Sequence, residues 1–308
     1  MKKSINISIS VFVLLVFGIY LFNNPENLNS LKLINYNIIS YLILIKIINL
    51  LLNSKFNQEL LKVFKINLSF FEATYLSSIT FLGNFYLPGK MGGNLRLIYL
   101  NRIYNFNTSQ LTSIFFYFAN ITFLLSSLLA ILSLLLIDTY KNLTYFLVLV
   151  SFVTVALITS YLMFKTFNLE VLPKNRINSW LNEVKKSWVQ INSNLKVQIK
   201  LITITLINFL FFGIEVAVIF SVIFNDFLIF EIIYYNSISI FASFISVTPA
   251  SLGFKDALVL VSNQIFSGEI FDLVSVLIIE RAVGIIFSGL PFLVIIYKHL
   301  KKYLNLKK

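Results

Sequence analysis

The sequence predicts an all-α polytopic membrane protein with about eight helices, including two broken or re-entrant segments. Of its 308 residues, 58% are hydrophobic and only 12% are charged, and a soluble domain of this length cannot bury so much apolar side chain. Apolar segments long enough to cross a bilayer recur along the chain. Lysines and arginines collect between them, as in membrane proteins with basic cytoplasmic loops. We expect one transmembrane domain over residues 1–308.

The first apolar segment follows Met1-Lys2-Lys3 and covers residues 5–22, which resembles a signal peptide. The next residues, Asn23, Asn24 and Pro25, offer no small-residue cleavage site, so we interpret it as a retained span with its N-terminus inside. The further predicted spans are residues 34–53, 109–137, 143–166, 198–224, 228–248 and 271–297. Two segments beside glycine and proline, 68–87 and 252–266, are ambiguous.

The basic loops predict the orientation of the chain. Lysines at positions 55, 62 and 65, the residues from Lys165 to Lys200, and the C-terminal lysines all predict cytoplasmic segments. Both termini are therefore expected in the cytoplasm, and the protein in the inner cell membrane.

A simple count of crossings conflicts with this orientation at two places. If 68–87 crosses the membrane, the loop at 165–200 falls outside; if it enters and returns, or is broken together with 88–108, the loop falls inside. The tail falls inside only if residues 250–270 take the chain back across. Irregular backbone at membrane depth survives only where protein or a water-filled cavity satisfies it. Both interpretations of 68–87 stay open at this stage.

One amphipathic segment is predicted as a cytoplasmic interfacial helix over about 173–192. Pro173 suits the first position of a helix, and one face then carries Ile177, Trp180, Leu181, Val184, Trp188 and Ile191. Such a helix lies in the membrane interface or packs on the end of the bundle.

Two short motifs suggest an internal repeat. PGKMG at 88–92 and PASLG at 249–253 each have the form Pro-x-x-x-Gly, and each follows an apolar segment. Roughly half the chain separates the two motifs, so the repeat halves would be about 1–150 and 151–308. Transporters are often built from such halves, and their paired interrupted segments mark the binding site.

The same motifs predict a site for an anion. Proline ends a helix and glycine permits unusual backbone angles, so the exposed N–H groups of the next helix can face a negative ligand. Lys90 and Arg96 follow the first proline, and Lys255 follows the second. A phosphate or carboxylate suits these groups. The alternative is a solvated turn whose basic side chains touch lipid phosphates at the interface.

Charged residues inside apolar segments need partners. Glu280 and Arg281 are adjacent and do not face each other on a helix, so we expect Arg281 to pair with Asp256 and Glu280 with Lys255 or Arg96. Glu215 is a further candidate. Lys46 is expected to snorkel towards the interface, and Glu72 to be interfacial.

Several function classes are excluded or disfavoured. The chain has no cysteine and one histidine, His299 in the basic tail, which excludes thiol chemistry and metal sites built on either residue type. No cofactor is predicted. The net charge of +12 fits basic loops better than nucleic-acid binding. No G-x-x-x-x-G-K-[ST] motif occurs, so net transport would have to use a gradient or equilibrate the leaflets.

The segments NFYLPGKMGGNLRLIYL and SVTPASLGFKDALVLV…LIIERAVG resemble the lysylphosphatidylglycerol synthase transmembrane (flippase-like) family over about 70–300. The match to its motifs implies as site residues Asn84, Pro88, Gly89, Lys90, Gly92, Arg96, Pro249, Gly253, Lys255, Asp256 and Arg281. The sequence departs from the family pattern at Gly93, where a glutamate is usual, at Ala250 and Ser251, which replace paired glycines, and at FFYFAN, which lacks a usual Glu-Arg pair.

The resemblance implies a protein that binds or translocates a lipid with an anionic polar head group, either a membrane phospholipid or another anionic lipid. We add Glu280 to the expected head-group site. The chain ends soon after its last predicted span, so we expect no soluble synthase domain and no lipid aminoacylation. Two alternatives remain: a membrane transferase on lipid-linked or polyprenyl-phosphate substrates, with Asp256, Glu280 or Glu215 as general base, and an accessory subunit of a separate synthase or glycosyltransferase. A homo-oligomer is compatible with all three.

Overall fold

The computed structural model describes residues 32, 34–137, 143–164, 176–224, 228–245, 248–266 and 270–305. These residues contain no strand and form ten α-helices: α1 (Tyr36–Val63), α2 (Phe70–Tyr86), α3 (Met91–Tyr104), α4 (Thr108–Leu136), α5 (Leu143–Phe164), α6 (Arg176–Asn192), α7 (Leu195–Ile223), α8 (Ile229–Ile245), α9 (Phe254–Val261) and α10 (Ile270–Asn305). The predicted all-α class is confirmed. The ten helices include both arms of each broken segment and the interfacial helix α6. The predicted first span and Pro173 lie outside the described residues.

Four helices of the described part, α1, α4, α5 and α7, are long and apolar enough to cross a membrane. The prediction that 228–248 is a separate full span is corrected. Helix α8 has 17 residues, so it rises only about 26 Å against a hydrocarbon core of about 30 Å, and the chain then turns back.

Helices α2 and α3 form a first hairpin, joined at its tip by a 3₁₀ turn over Pro88–Lys90. Its two ends lie together, because Glu72 near the start of α2 accepts hydrogen bonds from Tyr99 (2.6 Å) and Tyr104 (2.9 Å) on α3. Gly89 at the tip has φ 67, which glycine adopts without steric cost. The chain therefore enters the bundle through 68–87 and returns to the same end through α3, which is one of the two interpretations that the sequence left open.

Helices α8 and α9 form a second hairpin, with a 3₁₀ turn over Pro249–Ser251 at its tip. Phe266, which follows α9, packs against Tyr234 and Tyr235 near the start of α8, with ring centroids 5.3 and 6.3 Å away. The chain thus returns to the end of the bundle from which α8 began. Helix α10 then runs back along the bundle.

The two hairpins enter the bundle from opposite ends. We call the end that carries residues 64–69 and 105–107 and helix α6 the basic end; Gln190 on α6 donates to the Val63 carbonyl there (2.7 Å). The first hairpin starts at the basic end and the second at the other. Their tips meet inside, where the Lys90 ammonium lies 4.8 Å from the centre of the Phe244 ring.

The order of elements repeats at the spacing that the motifs indicated. The turns over Pro88–Lys90 and Pro249–Ser251 are half a chain apart, and the starts of α1 and α7, of α2 and α8, and of α4 and α10 are separated by nearly the same distance in sequence. Because α1 and α7 run antiparallel and the hairpins enter from opposite ends, the two sets of elements have inverted orientations. Inverted repeats are a common plan of transporters.

Two apolar clusters stabilise the bundle, one towards each end. The cluster at the basic end includes Leu60, Leu76 and Leu100, all fully buried. The cluster at the other end includes Val216, Phe220, Tyr234 and Leu273. The hairpin tips and several charged side chains lie between these two clusters.

The predicted interfacial helix is α6, and it packs on the bundle at the basic end. Ser109 on α4 donates to Glu183 (2.7 Å), and the rings of Tyr117 and Trp188 lie 5.3 Å apart. Ile177 and Trp180, at the other end of the same stripe, are 71% and 38% exposed. One part of the apolar face therefore contacts protein, and the other is left open at the surface.

Candidate functional site

A central cavity of about 560 Å³ lies where the two hairpin tips meet. Both halves of the chain line it: α1, α2, α3 and α4 on one side, and α7, α8, α9 and α10 on the other. The irregular backbone of both tips is therefore covered by protein and beside a cavity, as membrane depth requires.

The first hairpin is held in a tight turn by contacts of its glycines. Asn84 accepts a hydrogen bond from the Gly92 amide (3.1 Å), and a Cβ atom on Gly92 would lie 2.1 Å from the Thr80 carbonyl oxygen. Lys90 has left-handed backbone angles (φ 52, ψ 46) directly before α3. This local geometry directs the Lys90 side chain towards the tip of the second hairpin.

Arg96 on α3 lines the cavity without a carboxylate partner among the described residues. Its guanidinium donates to Asn57 on α1 (2.6 Å), and Asn57 donates in turn to Ser77 on α2 (3.0 Å). The buried Nε atom of Arg96 has no hydrogen-bond partner within the described structure. This guanidinium is oriented, yet retains donor capacity for a ligand.

The second hairpin carries two ion pairs with α10, both as predicted. Lys255 pairs with Glu280, which also accepts from Tyr235 (3.0 Å), and Arg281 pairs with Asp256. Asp256 uses its other oxygen to accept from the amide of Gly253 (2.8 Å), which fixes the start of α9. The alternative partner of Glu280, Arg96, is not in contact with it.

A third ion pair was missed. Lys46 on α1 lies 2.6 Å from Glu215 on α7, and only 14% and 1% of their side chains are exposed. The prediction that Lys46 snorkels is corrected, because a buried carboxylate within reach holds its ammonium inside the bundle. Like the other two pairs, it joins separate elements next to the cavity.

The twelve predicted site residues divide into two groups. Six line the cavity: Asn84, Lys90, Arg96, Lys255, Glu280 and Arg281. The other six shape or hold the hairpins: Pro88, Gly89 and Gly92 in the first, and Pro249, Gly253 and Asp256 in the second. Both motifs therefore meet at one place in the fold.

Two sets of cavity residues escaped the sequence interpretation. One is polar: Asn49, Asn53 and Asn57 recur every four residues on α1, so they share a face with Lys46, and Asn208 on α7 joins them by donating to Asn53 (3.3 Å). The regular spacing of these asparagines within a predicted span was the sequence signal that could have identified them. The other set is aromatic: Phe56, Phe81, Phe85, Phe115, Phe118, Phe209, Phe212, Phe244 and Phe287. No sequence signal distinguished these from lipid-facing phenylalanines.

A second polar cluster lies at the basic end of the first hairpin, outside the cavity. Burial and the hydrogen bond to Glu72 raise the pKa of Tyr104 to about 12, and the same causes raise the pKa of Tyr99. The Lys298 ammonium of α10 lies 3.8 and 4.2 Å from the rings of Tyr75 and Tyr99. Glu72 was expected at the interface; in the structure it holds the two ends of the hairpin together.

The described residues contain no group of three histidine, cysteine, aspartate or glutamate side chains that could hold a metal ion. What the cavity offers instead is arginine and lysine donors, three ion pairs and a phenylalanine wall. These suit an amphipathic anion.

Comparison with known proteins gives one match. A family model described as lysylphosphatidylglycerol synthase TM region matches residues 4–291, which include every residue that lines the cavity. No curated protein and no solved structure matches the chain.

Proposed function

The chain belongs to the lysylphosphatidylglycerol synthase TM region family, and on that premise we propose that its cavity binds the anionic head group of a membrane lipid and passes that lipid between the leaflets. The observation that carries the proposal is the pair Lys90 and Arg96. Both line the cavity, and neither has a carboxylate partner among the described residues. A buried cation without a counter-charge is costly, and an anionic head group offsets that cost.

The fold supports movement of a lipid as well as binding. The two hairpins enter from opposite ends and meet at the site, so each one separates the cavity from one end of the bundle. A shift of either hairpin would open the cavity towards its own leaflet. Phenylalanines of both halves give the hydrocarbon part of the ligand an apolar wall.

We propose that the basic end faces the cytoplasm. It carries the exposed or partly exposed lysines at the end of α1 and the start of α7, Lys55, Lys62 and Lys200, and basic residues favour the cytoplasmic side. The predicted position of both termini in the cytoplasm is part of this proposal.

The enzyme alternative has less support. A transferase would use Asp256, Glu280 or Glu215 as a base, and each of these carboxylates is bound by a cation. A carboxylate held in such a pair is already engaged by its cation and is poorly placed to take a proton from a substrate. The proposed role is therefore binding and transport without chemical change of the lipid.

The test is leaflet exchange in proteoliposomes containing purified protein and fluorescently labelled phospholipids of different head-group charge. We expect wild-type protein to accelerate exchange of anionic lipid, and the double variant Lys90→Gln/Arg96→Gln to fall to the protein-free rate. Lys196→Gln is the matched control, since Lys196 is exposed at the start of α7 and does not line the cavity; it should keep the wild-type rate. Wild-type exchange at the protein-free rate, with no anionic lipid retained on the purified protein, would overturn the proposal.

A further inference from the structure

Resting on the proposed function, we propose a substrate class: the Lys90 and Arg96 subsite selects a lipid whose head is a phosphate monoester with two negative charges. Gly93, between these two cations, is the residue that determines this preference. The inference follows from the charges in the cavity, the space at Gly93 and the apolar wall.

The charges of the cavity do not balance without a ligand. Five cations line it, namely Lys46, Lys90, Arg96, Lys255 and Arg281. Three of them have a carboxylate each, in Glu215, Glu280 and Asp256. Within the described part of the chain the surplus is thus two positive charges, and both belong to the first hairpin.

The two unbalanced cations are placed to share one ligand. They are six residues apart at the start of α3, which separates their Cα atoms by about 9 Å along the helix axis, and both side chains are long enough to converge in the cavity. The Lys90 ammonium lies 4.8 Å from the centre of the Phe244 ring and forms no ion pair with the residues that the structure describes. The Nε atom of Arg96 keeps an unused donor within the same part of the chain. Guanidinium and ammonium groups together suit the oxygens of a phosphate.

Gly93 keeps the space between these cations open. It lies three residues from Lys90 and three from Arg96, it lines the cavity, and a Cβ atom built on it would meet nothing within 4 Å. A carboxylate at this position would lie on the same helix face as Arg96 and would cancel one of the two charges. With glycine there, the ligand has to bring both negative charges.

A phosphate monoester meets this requirement and a diester does not. The second pKa of a phosphate monoester is about 6, so it carries nearly two negative charges at neutral pH, whereas a diester carries one. The phenylalanine wall indicates that the phosphate belongs to a lipid. Phe115 lines the cavity and is 43% exposed, so its ring is available to contact a hydrocarbon chain.

The experiment compares phosphatidic acid with phosphatidylglycerol of the same acyl chains, bound to the purified full-length protein in detergent and measured by native mass spectrometry or thermophoresis. At pH 7.5 we expect phosphatidic acid to bind about tenfold more tightly or better. The preference should shrink at about pH 5, where the monoester carries a single charge. Gly93→Glu should remove most of it. Gly93→Gln, of the same size without the charge, should retain it.

The possible outcomes test the inference and the proposed function separately. Equal affinity for the two lipids in the wild type, or an equal effect of Gly93→Glu and Gly93→Gln, overturns the inference and leaves the proposed function standing. Failure to bind either lipid overturns both. Inorganic phosphate or glycerol 3-phosphate binding as tightly as phosphatidic acid overturns the assignment of a lipid. If Gly93→Glu does not fold, the comparison of the two lipids on wild-type protein at both pH values still tests the inference.

Discussion

Gly83 and Gly92 touch across the first hairpin: a Cβ atom built on Gly83 would lie 2.5 Å from the Cα atom of Gly92. A Cβ atom on Gly92 would lie 2.1 Å from the carbonyl oxygen of Thr80. Both obstacles are backbone atoms, so no side-chain rotation relieves them. The position of α3, and with it that of Lys90 and Arg96, therefore depends on the absence of two side chains.

Gly92→Ala should force α2 and α3 apart. We expect it to lower the free energy of unfolding by about 1–3 kcal/mol, the usual cost of overpacking, and to weaken lipid binding. Thermal unfolding of the detergent-solubilised protein, followed by tryptophan fluorescence, measures the first effect. Gly289→Ala on α10 is the control, because a Cβ atom there meets nothing within 4 Å. Equal melting temperatures for the two variants would contradict the close contact.

The ion pair of Lys46 and Glu215 joins α1 to α7 beside the cavity. Glu215→Gln leaves a buried ammonium without its counter-charge, which typically costs about 3–5 kcal/mol, and Lys46→Gln does the same to the carboxylate. The double variant Lys46→Glu/Glu215→Lys keeps both charges in exchanged positions. We expect it to recover most of the melting temperature lost in either single variant. Strictly additive losses would show that the two groups do not interact.

How much of this arrangement the sequence predicted depends on the kind of signal. Proline and glycine act on the backbone locally, so the two interruptions at 88–92 and 249–253 were assigned to the correct place. The conflict between loop charges and a simple crossing count identified 68–87 as a place where the topology is irregular, since parity is a property of the whole chain, but it left open whether this segment spans or turns back. The pair Asp256–Arg281 was expected from the rule that charges in apolar segments need partners, and Lys255 was one of the two partners expected for Glu280.

Other features depend on which helices become neighbours, and no local pattern encodes that. Lys46 was interpreted as snorkelling because Glu215, its partner, lies in the other half of the sequence and is adjacent only once α1 packs on α7. Helix α8 was predicted to be a complete span because its composition is as apolar as that of a transmembrane helix. The return of the chain through α9 is visible only in the packing of Phe266. Phenylalanines that line the cavity and those that face lipid have the same sequence signature.

Ala250 occupies a left-handed backbone conformation at the tip of the second hairpin (φ 48, ψ 21). A Cβ atom in this region costs roughly 1–2 kcal/mol, and glycine avoids the cost. We expect Ala250→Gly to raise the melting temperature although it removes side-chain atoms.

Ala257→Gly is the control for this substitution. Ala257 lies within α9, where glycine should destabilise by about 0.5–1 kcal/mol. Opposite signs for the two substitutions in one thermal assay would support a strained tip. A loss of stability in both would mean that Ala250 is held by packing and not strained.

The tyrosine and glutamate cluster at the basic end makes the stability of the first hairpin depend on alkaline pH. Burial and the hydrogen bond to Glu72 raise the pKa of Tyr104 to about 12, whereas an unfolded tyrosine has a pKa of about 10. A group whose pKa is raised by folding contributes stability that is complete below the unfolded pKa. This contribution is therefore lost as the pH rises from about 10 to 12.

Tyr104→Phe removes both the hydrogen bond and the titrating proton. We expect a lower melting temperature at pH 8, by the equivalent of about 1 kcal/mol for the lost bond, and a shallower decline above pH 10 than in the wild type. Tyr36→Phe is the matched control, because the Tyr36 side chain is 89% exposed; its profile should run parallel to that of the wild type. If the Tyr104→Phe profile is also parallel over this range, Tyr104 does not hold its proton through Glu72, and the closure of the hairpin at its basic end rests on other contacts.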